Sequence, residues 1–434
     1  MIKETITTSW GSRLGDSFRG ILIGLLLVLI SCGVLFWNEG RTINRTRALK
    51  ETSKAVVEAK LDSVDSQLEG KVIHLSGNAE TSEVLRDDYF NVSTNAIKLV
   101  RTVEIYQWQE DQDSSTSRSS GGSQTTETTY SYSKVWSEEL IDSSKFKESG
   151  HDNPTTVPIQ SNDFTAKNVS LGARRLSDSL IDKVGPTEEF IPDQIQNAAV
   201  EQNANAVDSQ EQNAAGSQEE NAADANHSQP QSEPYQSSAV NSEYQALVLQ
   251  EDETSTIDPG FKRYGNGYYK GTPDNPQIGD IKVSFEYVPS PFEISVISQQ
   301  SGDSFKPYHS KKGNVELIYP GELSASEMID KALKENKLLG WLIRLGGFIV
   351  MFIGFQITFK PLSVFADIVP FLGGLVGSGA SIVAFCLSLG ISLLVIAVGW
   401  LAYRPLVSIP LIVAAIASFV YVFTRGKKNK KETA

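Results

Sequence analysis

The sequence predicts a multi-pass α-helical membrane protein, with four spans in a one-plus-three arrangement and a large β-rich α+β extramembrane domain. One apolar segment, residues 17–37, lies near the N-terminus, and three more crowd into residues 338–424. Each is long enough to cross a bilayer as a helix. The polar stretch between them, residues 38–337, is anchored at both ends, so we expect it to lie on one side of the membrane.

Breaks in the apolar runs set the predicted boundaries. Lys360 and Pro361 end the second span, while Arg404 and Pro405 separate the third from the fourth as a tight helical hairpin. The piece after Pro361 is apolar but interrupted by Asp367 and several glycines, which predicts an interfacial or re-entrant segment. The basic tail indicates a cytoplasmic C-terminus, and four spans then place the N-terminus on the same side. The predicted order is a cytoplasmic N-terminus (1–16), a transmembrane helix (17–37), an extracytoplasmic or lumenal domain (38–337), a second transmembrane helix (338–359), an interfacial or re-entrant segment (360–378), two further transmembrane helices (379–403 and 406–424) and a basic cytoplasmic tail (425–434).

Small residues inside the spans are candidates for helix packing. Gly20 and Gly24 form a G-x-x-x-G spacing in the first span, and Gly373 and Gly377 form another. Such spacing lets helices approach closely, which matters because lipid tails already satisfy apolar side chains. We therefore predict a homo-oligomer to which the first span contributes.

Four polar residues are intramembrane candidates: Arg344, Gln356, Asp367 and Arg404. Arg344 lies near the entry end of the second span, which favours an interfacial anchor whose side chain reaches the headgroups. The alternative makes Arg344, Gln356 and Asp367 pore or gate elements of a channel or transporter accessory subunit.

Alternating residues predict the strands of the extramembrane domain. Residues 281–287 alternate apolar and polar side chains, which indicates a half-buried strand. The β-branched and aromatic stretch 99–108 is expected to pair with 126–138, and the Ser/Gly-rich residues 109–124 are expected to form the hairpin loop.

A helix is predicted to continue from this domain into the second span. Ser324 and Glu327 have capping-box spacing, and no proline or glycine follows before Gly340. Residues 195–232 repeat Gln, Asn and Ala with almost no bulky apolar side chains. That composition predicts a disordered insertion.

No pattern in the sequence indicates catalysis, a cofactor or a metal. The histidines (His74, His151, His227 and His309) are scattered without metal-ligand spacing, and there is no phosphate-cradling glycine loop or hydrolase motif. The net charge of -13 is concentrated in one acidic segment, and no basic stripe indicates nucleic-acid binding. An envelope enzyme with an unrecognised site stays open, and a cleft joining a histidine to carboxylates would favour it.

Several motifs resemble the transmembrane protein 43 family, also called LUMA. They are FWNEGR (36–41), VEIYQW (103–108), TTYSYSKVWSEELIDSSKF (128–146), GHDNP (150–154), IGDIKVSF (278–285) and GWLAYRPL (399–406). The resemblance runs in order over nearly the whole chain and includes the one-plus-three arrangement of spans. The Gln/Asn/Ala repeats depart from the animal pattern and look like an insertion.

The resemblance implies membrane organisation and no catalytic residues. Animal members are four-span proteins of the endoplasmic reticulum and inner nuclear membrane that hold the large domain in the lumen, self-associate, and bind emerin and lamins. For this chain we expect a bacterial inner membrane with a periplasmic domain, or those eukaryotic membranes with a lumenal domain. The predicted function is a membrane-embedded scaffold whose partners are membrane lipids, itself and other membrane or envelope proteins.

Overall fold

The computed structural model describes residues 2–191, 258–405 and 409. Its helices are α1 (Trp10–Ala55), α2 (Asp178–Ile181), α3 (Ala325–Ala366) and α4 (Pro370–Tyr403), with 3-10 turns at Ser66–Leu68 and Ser143–Lys145. Among the described residues, α1, α3 and the Gly373–Tyr403 part of α4 are long and apolar enough to cross a membrane. The predicted class, a multi-pass helical membrane protein with a large β-rich domain, is confirmed. The predicted fourth span and tail, apart from residue 409, and the predicted insertion lie outside the described residues.

Two large sheets form most of the domain. The strands are β1 (Ile2–Thr8), β2 (Val57–Glu58), β3 (Val72–Glu80), β4 (Val84–Asp87), β5 (Val92–Arg118), β6 (Gln124–Ser137), β7 (Asn162–Thr165), β8 (Ser170–Leu171), β9 (Arg174–Arg175), β10 (Glu188–Glu189), β11 (Phe261–Tyr264), β12 (Gly267–Lys270), β13 (Ile281–Pro289), β14 (Phe292–Ser301), β15 (Ser304–Lys306), β16 (Tyr308–Ser310), β17 (Gly313–Val315) and β18 (Leu317–Pro320). The nine-stranded sheet has the order β1-β6-β5-β13-β12-β11, with β4 and β7 beside β5 and β10 beside β13. The seven-stranded sheet has the order β18-β14-β15-β9-β8-β3-β2, with β14 also paired to β3, and β16 pairs with β17.

The main core combines inward-facing side chains from both large sheets. Val283 and Phe285 of β13 are almost fully buried, as the alternation of residues 281–287 predicts. They share one apolar cluster with Ile294 and Val296 of β14, which belongs to the other sheet. Removing this apolar surface from water stabilises the domain.

Two helices pass without interruption from the bundle into the domain. α3 begins at the capping box of Ser324 and Glu327 and runs through the second span, which confirms the predicted continuity. Met328 of α3 and Leu49 of α1 are fully buried in a second apolar cluster, which also contains strand residues such as Val72. The membrane bundle and the domain are therefore joined by packed helices.

The structure replaces the expected interfacial or re-entrant segment 360–378 with the ends of two helices. α3 continues through Pro361 to Ala366, and α4 starts at Pro370, a position that suits proline in a first helical turn. Neighbouring helices make an interior proline tolerable in a membrane helix. Lys360 and Pro361 therefore do not mark a boundary, and the reversal lies at Asp367.

The hairpin of β5 and β6 is far longer than predicted. Residues 109–118 are strand, and they pair in register with 124–133, so only residues 119–123 turn. Ser and Thr are compatible with strands when they form cross-strand pairs, such as the hydrogen bond between Ser114 and Thr128. The expected loop at 109–124 is thus wrong in extent.

The N-terminal segment extends this hairpin into a three-stranded arm. β1 pairs antiparallel with residues 124–130 of β6. The Tyr130 hydroxyl donates to Glu4 at 2.7 Å and, with Lys147, holds the pKa of that carboxyl below its usual value. We call β1 with residues 109–133 the arm. The predicted separation of residues 1–16 from the extramembrane domain does not hold, because β1 belongs to the domain's own sheet.

The arm reaches the far end of the bundle. Its turn contacts Trp10 and Arg13 at the start of α1, and Gly121 N donates to Ile368 O at 3.1 Å. The ten residue-to-residue steps along β5 from Trp108 to Arg118 cover about 33 Å. A helix such as α1 needs about 23 residues to cover a similar distance, about 35 Å. The arm therefore matches the apolar part of the bundle in length.

A disulfide tests the register of β1 against β6. Thr7 and Thr125 are opposite each other, with their Oγ1 atoms 3.2 Å apart. In a chain with Cys32 and Cys386 replaced by alanine, we expect Thr7→Cys with Thr125→Cys to cross-link on mild oxidation, because paired strands bring Cα atoms within disulfide range. A non-reducing gel and peptide mass spectrometry measure it. Thr7→Cys with Thr128→Cys is the out-of-register control, and equal cross-linking of both pairs would contradict the pairing.

Candidate functional site

The contact between α1 and α3 is built on small residues seven positions apart. On α3 these are Gly340, Gly347 and Gly354. A Cβ on Gly347 would lie 2.6 Å from a methyl group of Leu35, and one on Gly340 would lie 2.9 Å from the hydroxyl of Thr42. A seven-residue repeat keeps one helix face toward its partner along a left-handed crossing. The two backbones therefore approach closely, and a side chain at these positions would not fit between them.

Polar side chains of α1 bond directly to the backbone of α3 along the same line. Ser31 Oγ donates to Gly347 O at 2.5 Å, and Asn38 Nδ2 donates to Gly340 O at 3.0 Å. Farther along, the bond runs in the opposite direction, because Asn336 Nδ2 of α3 donates to Thr42 O of α1 at 2.9 Å. These groups are buried, so each bond satisfies atoms that would otherwise be costly in an apolar environment.

The predicted packing glycines lie in contacts within one chain. A Cβ on Gly24 would clash with the backbone of Gly354 and with Thr358, while one on Gly20 would lie 3.1 Å from Ile357. This face of the first span is filled by α3 and is not open to a second copy. The expectation that it forms an oligomer contact is corrected, while self-association itself stays a prediction.

The second glycine pair closes the turn between α3 and α4. A Cβ on Gly373 would clash with Asp367, and one on Gly377 would lie 3.6 Å from Ser363. Gly373 therefore allows the tight reversal at the end of α3, whereas a Cβ on Gly377 would make only an ordinary van der Waals contact.

A buried carboxylate joins all three long helices at the domain end of the bundle. Glu39 of α1 is 1% exposed and accepts from Arg344 of α3 at 2.7 Å (Nε) and 2.9 Å (Nη2). Trp400 of α4 donates to the same carboxylate at 2.9 Å. Bidentate pairing is the strongest arrangement for Arg and a carboxylate. We call these three residues the domain-side clamp, and Arg344 is a partner in it, which corrects the expected headgroup anchor.

A second ion-pair cluster lies at the other end of the bundle. Asp367 is fully buried and accepts from Arg13 at 2.5 Å and from Arg118 at 2.9 Å. Arg13 also donates to Gly122 O, and Trp10 Nε1 donates to Val364 O at 2.8 Å. We call Asp367, Arg13 and Arg118 the tip-side clamp. It ties together the start of α1, the turn of the arm and the reversal after α3.

The remaining two polar candidates, Gln356 and Arg404, do not belong to either clamp. Gln356 accepts from Ser381 Oγ at 3.3 Å across the contact of α3 and α4. Arg404 follows the last residue of α4, and its backbone N–H donates to Trp400 O at 2.7 Å. Arg344 belongs to the domain-side clamp and Asp367 to the tip-side clamp. The structure therefore does not bring the four predicted polar residues together.

The described histidines are dispersed. His74 is buried between Glu58, 2.6 Å from Nδ1, and the carbonyl of Leu323, 2.8 Å from Nε2. His151 stacks on Tyr132 at 3.9 Å between ring centroids, and His309 lies 2.7 Å from the side chain of Asn314 at an exposed position. His227 lies outside the described residues. Within the described part of the chain, no three His, Cys, Asp or Glu side chains are placed to hold a metal ion.

Sequence reasoning missed the seven-residue glycine repeat and Glu39. The repeat of Gly340, Gly347 and Gly354 is visible in the sequence, but its seven-residue spacing differs from the four-residue spacing of the G-x-x-x-G pattern. Glu39 follows the first span directly, and a carboxylate at that place signals a buried partner. Its pairing with Arg344 could not be derived from a single sequence.

Comparison with known proteins identifies relatives in animals that align over nearly the whole chain. The family model described as Transmembrane protein 43 matches residues 105–405. Transmembrane protein 43 of mouse is 29% identical over 97% of this chain and 93% of its own, and the human protein is 28% identical over 99% and 96%. The Transmembrane protein 43 homolog of Drosophila melanogaster is 26% identical over 98% and 97%. No solved structure matches.

Proposed function

The chain belongs to the transmembrane protein 43 family, and on that premise we propose that it is a membrane-embedded scaffold that organises protein complexes through its large extramembrane domain. It is an integral membrane protein. We expect the domain to lie in a bacterial periplasm or, in a eukaryote, in the lumen of the endoplasmic reticulum and nuclear envelope. We expect no catalytic activity of its own.

The arm is the observation that carries this proposal. Both faces of its outer part are polar: Asp113, Ser115 and Ser117 alternate with Gln112, Ser114 and Thr116 along β5. Residues 111–120 are exposed, so over this length little else of the chain covers the strand. Such a surface is unfavourable beside hydrocarbon, because backbone and side-chain polar groups there need water or protein partners. An arm as long as the apolar helices thus calls for polar neighbours from other molecules.

The clamps and the continuous helices suit the same role. Because α1 and α3 are packed both in the bundle and in the domain, a partner bound to the domain is held at a fixed position relative to the membrane. A scaffold depends on that rigidity. The domain-side clamp sits where the two regions meet.

Site-specific photo-crosslinking tests the proposal. Benzoylphenylalanine placed at Ser115 on the arm, or at Val84, which is 62% exposed on the domain, is expected to give discrete adducts heavier than the 47.5 kDa chain in host membranes. Val28, buried between α1 and α3, is the matched control and is expected to cross-link only within the chain. Mass spectrometry identifies each partner. Absence of discrete adducts at Ser115, Val84 and further exposed positions would contradict a scaffold.

The arm also favours a second candidate function, a water-filled passage formed by several copies. Arg344 and Asp367 hold helices together, so polar arm residues such as Ser117 would line that passage. Reconstituted in liposomes, the chain would then conduct small ions, and reagent attached at Ser117→Cys would reduce the flux. Flux equal to that of empty liposomes would contradict this candidate and leave the scaffold proposal untouched.

A further inference from the structure

An open cavity lies between the tip of the arm and the neighbouring faces of α3 and α4. Its volume is about 510 Å³. Arg118 lines it from the arm, Gln356 and Lys360 from α3, and Ser381 from α4. Ile357 and Phe359 add apolar wall. Gly374 and Gly377 present no side chains on the α4 side, which keeps the cavity open.

The charges around the cavity leave a positive surplus. Asp367 is shared by two guanidinium groups, those of Arg13 and Arg118, so this clamp carries one positive charge more than it neutralises. Lys360 is exposed at the cavity and adds a second. The side chain of Arg118 is 37% exposed, so part of its guanidinium is accessible beyond its bond to Asp367. A partly covered site of this charge attracts anions.

Hydrogen-bond donors of three kinds converge there. Arg118 bonds to Asp367 through Nη1, and its planar guanidinium has further N–H groups to donate. Gln356 accepts from Ser381 through Oε1, which leaves its amide nitrogen to donate elsewhere. Lys360 contributes an ammonium group. Guanidinium, ammonium and amide donors together match the oxygens of a phosphate group.

The place of the cavity favours phosphate carried by a lipid. Phe365, Ile368 and Val369 are exposed at the nearby end of the bundle, as expected where helices meet the bilayer interface. Basic pockets between membrane helices at this depth bind anionic headgroups, while apolar walls contact acyl chains. We propose that this cavity binds a phosphate group, for which a phospholipid headgroup is the source that its walls favour. This role is separate from the protein partners proposed above.

Native mass spectrometry of the full-length protein in detergent tests the site. The probes are dioctanoyl phosphatidic acid, dioctanoylglycerol, which lacks the phosphate, and inorganic phosphate as a competitor. We expect Lys360→Met to weaken phosphatidic acid binding about tenfold, the effect of losing one charge-assisted hydrogen bond. Lys334→Met, an exposed lysine on the domain end of the same helix, is the matched control and is expected to change nothing. Unchanged melting temperatures show that both variants are folded.

Each outcome decides for or against the site. Displacement of the lipid by millimolar inorganic phosphate, with the same dependence on Lys360, supports the site. It would also show that a phosphate group is sufficient for binding without the rest of the lipid. Equal binding of dioctanoylglycerol and phosphatidic acid overturns it, as do equal affinities of the Lys360→Met and Lys334→Met variants. If Lys360→Met lowers the melting temperature, Gln356→Leu takes its place: about tenfold weaker binding supports the site, and unchanged binding overturns it.

Discussion

Glu39→Ala is expected to destabilise the helical bundle by about 3–5 kcal/mol, because it leaves Arg344, whose side chain is only 15% exposed, without its carboxylate. Trp400 loses its acceptor in the same change, and both partners lie on helices other than α1. Reversible unfolding in mixed micelles, followed by circular dichroism, measures the loss. The matched control is Asp16→Ala. Asp16 pairs with Arg19 on α1, with side chains 63% and 85% exposed, and an exposed pair of this kind contributes at most about 1 kcal/mol.

A double substitution separates pairing from packing. Replacing both Glu39 and Arg344 by leucine removes the two charges together, and an apolar pair of similar size is often as stable as a buried ion pair. We therefore expect the double variant to be more stable than either single one. If the losses of the single variants simply add in the double variant, the two side chains are not coupled and the domain-side clamp is not a unit.

Gly354→Leu is expected to force α1 and α3 apart, at a cost of about 1–3 kcal/mol or more. A Cβ at this position would lie 2.8 Å from the carbonyl oxygen of Gly24, and that contact is backbone, which cannot rotate away. Gly346→Leu is a matched control on the same helix, since a Cβ there meets nothing within 4 Å. Unfolding in micelles compares the two variants.

The same pair of variants distinguishes contacts within the chain from contacts between copies. If the contact of Gly24 with Gly354 is internal, Gly354→Leu lowers stability while the oligomeric state of the folded fraction stays that of the wild type. Mass photometry of both variants measures that state. Equal stability of Gly346→Leu and Gly354→Leu would show that the close approach of α1 and α3 is not needed.

Local patterns predicted much of the fold. The alternation of residues 281–287 identified β13, and the capping box at Ser324 located the start of α3. Both signals depend on a few neighbouring residues, so they can be recognised without knowing which element packs against them. The three described long helices were likewise visible as apolar runs.

Strand pairs and ion pairs between residues that are distant along the chain could not be predicted from the sequence. The strand of residues 109–118 is rich in Ser, Asp and Gln, a composition typical of loops, and it is ordered by its partner β6. Asp367 signalled a break because a charge in an apolar run is costly, yet Arg13 and Arg118 compensate it from positions hundreds of residues away along the chain. Only the tertiary structure identifies such partners, and the candidate site depends on them.

The arm has a consequence for the order in which the elements of the protein fold. β1 is synthesised before its partner residues, which begin at Gln124, after the whole of α1 and most of the hairpin. Ile2 pairs with Tyr130, so the chain between these two residues forms a large loop. Closing that loop makes the pairing of β1 with β6 slow compared with helix formation. We therefore expect β1 to be among the last strands to pair. For the same reason, we expect a bulky fusion ahead of β1 to hinder the pairing of β1 with β6 more than the formation of the helices.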